Sequence, residues 1–139
     1  MFMKYLLHQH PIKKTAIAAI VVLATAVPLF QGCGGGVRNP VDPERAREAL
    51  KTTLDSWKKG ESMDSLQSAT PAIVAQDSDW RSGAKLTDFE VAGDGKPMDA
   101  NLRVAVKLTL RNKQGKEVKK SVNYLVTTSP AVTVFRDFK

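Results

Sequence analysis

Residues 101–111 alternate without a break. Leu102, Val104, Val106, Leu108 and Leu110 fall on one side, and Asn101, Arg103, Ala105, Lys107, Thr109 and Arg111 on the other. This period of two marks a strand with one dry face and one wet face. Such a strand belongs to an antiparallel sheet covered on one side only, because parallel sheets are buried on both. The neighbouring segments repeat the pattern. Residues 85–92 place Thr87, Phe89 and Val91 together. Asn112-Lys-Gln-Gly115 reads as a hairpin turn, with Gly available for positive φ. Residues 116–127 align Val118, Val122, Tyr124 and Val126, with Lys120 interrupting, and Ser129-Pro130 separates a last strand over 131–137. Four consecutive strands with turns this short predict an antiparallel meander.

A helix precedes them. Asp42-Pro43-Glu44 supplies an N-cap, a first-turn proline and an acid at the positive end of the dipole. Ala46, Ala49, Leu50, Thr53, Leu54 and Trp57 recur at helical spacing. Lys58, Lys59 and Gly60 then mark its end. The spacing predicts a helix over 43–59, with Trp57 in the core. Thr70-Pro71 resembles a second cap, so a short helix is predicted over 71–77, and Ser62–Leu66 reads as a further helical turn. The fold class is therefore α+β. A helix and a shorter second helix pack on a four-stranded antiparallel meander, forming one domain over residues 43–139.

The first 32 residues have a different character. Lys4, Lys13 and Lys14 come without any acid, and Thr15 to Phe30 carries no charge. A positive leader, an apolar run and a small residue before a cut are the parts of a signal peptide, here 1–32. The run is short for a bilayer-spanning helix, which needs about 20 residues. His8 and His10 both fall in this segment, so residues 33–139 hold no His and one Cys. That removes Ser–His and Cys–His catalysis, His-ligated zinc and an intrachain disulfide. Subtracting the three leader lysines from 21 basic residues leaves 18 against 14 acidic ones. The resulting +4 is not the charge of a nucleic-acid binder.

Gly32-Cys33 directly after the apolar run resembles the lipobox of bacterial lipoproteins. Gln31 and Phe30 stand where that motif usually has a small residue and Leu. The resemblance implies lipid attachment at Cys33, with the thiol as a thioether anchor. The alternatives are an uncleaved anchor helix and a plain signal peptide. Residues 33–42, rich in glycine, then form a flexible tether. The expected location is extracytoplasmic, on the bacterial envelope, with the membrane as a partner through the lipid or the anchor helix.

The folded part resembles the cystatin-like and NTF2-like cone folds, a long helix on a curved antiparallel sheet. It is also similar to small uncharacterised exported proteins of planctomycete bacteria. The residues that carry this are Asp79-Trp80, Gly83 and Leu86, then Tyr124, Val126, Thr128, Pro130 and Thr133-Val-Phe-Arg136. The planctomycete group implies an exported or lipid-anchored domain without assigned chemistry. The NTF2-like group implies a pocket between helix and sheet, enzymatic in some members and only binding in others.

Three constellations carry the remaining chemistry. Asp77-Ser78-Asp79 suggests a calcium loop, but Arg81 and Ser82 occupy the places for an oxygen ligand and the turn glycine. A capping and turn cluster is the simpler reading. Asp88 and Glu90 share one strand face and read as solvated. Arg103, Lys107 and Arg111 line the wet face of the clearest strand, with Lys113, Lys116 and Lys119 beside them, and form a candidate patch for an anionic envelope component or protein. No aromatics interleave with these cations, which argues against nucleic acid. Tyr124 and Lys120, on an otherwise apolar face, are the candidate pocket residues. No cofactor or metal is expected. The function expected is a non-enzymatic, lipid-anchored domain that binds another envelope component. The alternatives are an NTF2-like pocket enzyme and a structural surface protein without a discrete ligand.

Overall fold

The computed structural model describes residues 39–139. The predicted signal peptide and Cys33 lie outside the described residues, as does most of the tether. Helix α1 runs Pro43–Lys58, a 3₁₀ turn Met63–Ser68, strand β1 Ile73–Gln76 and the single-turn helix α2 Ser78–Arg81. Strands β2 (Lys85–Met98), β3 (Asn101–Arg111), β4 (Glu117–Thr127) and β5 (Val132–Asp137) complete the chain. Among the described residues no helix is long and apolar enough to cross a membrane.

Helix α1 begins where the cap demands. Asp42 Oδ1 accepts from the amides of Glu44 and Arg45, each at 3.1 Å. Beyond the last turn, Gly60 takes φ +81°. Ala46, Ala49, Leu50, Leu54 and Trp57 are buried against the inward residues of β3 and β4, in one core.

The sheet corrects the predicted meander. It has five strands in the order β1-β5-β4-β3-β2, and β1 lies parallel to β5. The predicted helix over 71–77 is this strand. Ile73 pairs with Val132 and Ala75 with Val134, and both face the core. Val74 between them faces out, 41 % exposed. That alternation satisfies a sheet edge, whereas a single helical turn here would bury too little. The short helix instead starts one residue later, because Asp77 caps it.

Strand β2 extends to Met98, well past the predicted end at 92, with register shifts between Leu86 and Asp88 and between Ala92 and Lys96. The first shift turns Leu86 inward opposite Leu110, in place of the expected Thr87. Thr87 is left over, and its hydroxyl donates to the Thr109 carbonyl at 2.9 Å. At Gly95, φ is +84°, and a Cβ would lie 2.9 Å from Val104 Cγ2. Only glycine lets β2 approach the core side of β3 there.

Candidate functional site

Asp77 is 5 % exposed and holds together three elements. Its Oδ1 accepts from the amides of Asp79 at 2.8 Å and Trp80 at 3.0 Å, capping α2. Its Oδ2 accepts from the Tyr124 hydroxyl at 2.6 Å and from Arg136 Nε at 2.9 Å, and Arg136 Nη2 closes a second bond. Arg136 Nη1 donates to Asp79 Oδ2 at 3.0 Å, and Lys120 Nζ to Asp79 Oδ1 at 2.8 Å. The network therefore runs from the core at Tyr124 to the surface at Lys120.

The sequence explains why these groups meet. Val132, Val134 and Arg136 alternate inward on β5, so Arg136 must enter the core side of the sheet. A buried guanidinium needs a buried carboxylate. The β1–α2 junction brings one.

Electrostatics follow from that packing. Burial pushes the Tyr124 phenol far above its ordinary value, and the Asp77 charge beside it pushes further. For Arg136, burial works against the charged form, but Tyr124 and Asp77 outweigh it and hold the pKa raised. For Asp79, burial works upward, and the bonds from Lys120 and Arg136 outweigh it, so its carboxyl sits below the usual range.

The two candidate pocket residues thus take separate roles. Tyr124 is 1 % exposed, with its hydroxyl committed to Asp77. Lys120 lies at the surface, committed to Asp79. Asp77-Ser78-Asp79 is the capping cluster expected. Its carboxylates are spent on amides, Arg136 and Lys120. Among the described residues no group of three acidic, His or Cys side chains could hold a metal ion.

Arg103, Lys107 and Arg111 do share the uncovered face of β3, opposite α1. Two of them already have counter-charges. Arg103 Nε lies 2.9 Å from Asp137 Oδ2, and Lys107 Nζ lies 3.4 Å from Glu90 Oε1. Arg111 stands directly across from Glu117. Asp88, the other strand acid, binds Lys58 at 3.0 Å, which lowers its pKa. The wet face is thus a lattice of alternating charges.

Four lysines without an ion pair among the described residues lie near one another elsewhere. Lys59 ends α1, Lys85 opens β2, and Lys113 and Lys116 lie in the β3–β4 hairpin. These segments meet at one end of the domain. Lys85 pairs with Arg111, the Trp57 indole donates to the Ala84 carbonyl at 2.9 Å, and Lys113 Cε would lie 3.1 Å from a Cβ on Gly83. Trp80 stacks on Trp57 at the same end, with ring centroids 5.3 Å apart and planes within 6°. Trp80 thus covers the Trp57 end of the core. Sequence reasoning missed the gathering of lysines around the pair, because the contributing segments are far apart along the chain. No family model, no curated protein and no solved structure matches this chain.

Proposed function

We propose that this protein is a non-enzymatic, lipid-anchored envelope protein whose α+β domain binds an anionic envelope component. The observation that carries this reading is the polarity of the domain. The chain enters beside the β4–β5 turn, where the Asp42 amide donates to the Thr128 hydroxyl at 3.0 Å. Helix α1 then runs away from that point for 16 residues, about 24 Å at 1.5 Å per residue. Lys59, Lys85, Lys113 and Lys116, none of them in an ion pair among the described residues, lie at its far end. The tether therefore joins the folded domain at the end opposite these lysines, and leaves their surface free for a partner. The commitment of Asp77, Tyr124 and Arg136 to one another supports binding over catalysis, since none is left to move a proton.

The test uses full-length protein in a bacterium that processes lipoproteins. Membrane-extracted wild type should have the mass of residues 33–139 plus lipid, and Cys33→Ser should lose it. Wild type should also capture envelope material that a Lys113→Glu/Lys116→Glu variant does not. A full-length, unlipidated mass in both samples sinks the anchor, and equal capture by the variant sinks the binding role.

A further inference from the structure

A groove of about 700 Å³ runs between the end of α1 and the start of β2. Trp57 and Trp80 form its apolar wall, and Lys58, Lys59 and Lys85 line it with Gly60 and Glu61. Trp57 is 3 % exposed, so Trp80 presents the aromatic surface. That indole is fixed through one face and one edge. It stacks on Trp57, and its Nε1 donates to the Glu61 carbonyl at 3.2 Å. Lys58 is drawn to Asp88, whereas Lys59 and Lys85 have no carboxylate within ion-pair distance among the described residues. Lys113 stands at the rim beside Gly83.

We infer that this groove binds a polysaccharide carrying carboxylate or sulfate groups, an inference that rests on the envelope-binding reading above. Each part of the ligand meets a matching part of the groove. The face of an indole is negative and attracts the partly positive C–H groups of a sugar ring. Lysine ammonium groups on flexible stems suit acidic substituents spaced along a chain. The groove is open to solvent rather than enclosed, so a segment of a polymer can enter it from the side. A single aromatic platform fits one sugar ring, whereas single-stranded nucleic acid is held by successive aromatics.

Both tryptophans of the chain lie in this groove, so indole emission reports on it directly. Full-length protein in mild detergent is titrated with polygalacturonate, dextran sulfate, neutral dextran and a single-stranded DNA of matched charge. The inference expects saturable emission changes with polygalacturonate or dextran sulfate and none with neutral dextran. Lys59→Glu/Lys85→Glu should weaken binding at least tenfold, while Lys96→Glu, near the far end of β2, leaves it unchanged. Trp80→Phe should weaken binding with the lysines intact. The inference is overturned by no response to either acidic polymer, by equal binding of the lysine variant, or by DNA binding as tightly as the glycans. Any of these results alongside intact envelope capture rejects this ligand and groove alone. Failure of the wild type to capture envelope material rejects the envelope reading itself.

Discussion

Asp77 is the residue on which the most structure depends. One carboxylate caps a helix, accepts a tyrosine hydroxyl and neutralises a guanidinium that is itself 9 % exposed. Removing one member of a buried ion pair costs about 3–5 kcal/mol, because the other charge stays behind unpaired. Asp77→Ala should therefore lower the free energy of unfolding by about that much in urea titrations. Tyr124→Phe removes the short bond to Asp77 and a long one, 3.5 Å, from Arg136 Nη2, and should cost about 1.5–3 kcal/mol at neutral pH. It should also change the alkaline limb. The folded phenol has a raised pKa, so its stabilisation is fully present below the unfolded value of about 10 and is lost as pH rises beyond it. Wild type should thus lose stability above pH ~10 more steeply than Tyr124→Phe. Asp79 works on the acid side. Its folded pKa is lowered, so its contribution is present above about pH 4 and lost as pH falls below. Asp79→Asn should flatten that acid limb in denaturation curves taken from pH 6 to 3.

The elements divide by length into those the sequence announces and those it hides. β3 is legible because five inward residues repeat in register, and α1 because its cap and apolar stripe agree. β1 is hidden because only Ile73 and Ala75 point inward, and Pro71 just before them is also a helix-start signal. Its partner β5 lies at the other end of the folded chain, and no local pattern encodes such a pairing. The ion network was half legible. Tyr124 and Lys120 stand out on their strand, whereas the inward position of Arg136 on β5 went unread, and nothing local says that Asp77 pairs with it. The strand assignment at 73–76 has a direct check. Ile73 is 3 % exposed and Val74 41 %. Ile73→Ala should cost about 2–5 kcal/mol by cavity formation, while Val74→Ala should stay within about 0.5 kcal/mol. Two adjacent residues with so large a contrast, measured by thermal or urea unfolding, fit a sheet edge with one buried face.

At the scale of the whole molecule, charge placement matters more than its total. The wet sheet face pairs Arg103 with Asp137 and Lys107 with Glu90, so it attracts anions weakly despite the line of Arg103, Lys107 and Arg111. At the end formed by Lys59, Lys85 and the β3–β4 hairpin, the four lysines have no ion pair among the described residues, and their field reaches into solvent. Exposed charges act over a Debye length of about 8 Å at 0.15 M salt and about 3 Å at 1 M. Capture of anionic envelope material should therefore fall steeply between 0.05 and 0.5 M salt, by about tenfold or more. Reversing Lys113 and Lys116 should lower both the affinity and its slope against salt. Reversing Lys107, already beside Glu90, should change the slope little. Binding that is insensitive to salt, or equally sensitive in both variants, would place the contact on the uncharged parts of the surface. The exposed Val74, Phe135 and Phe138 would then become the residues to replace.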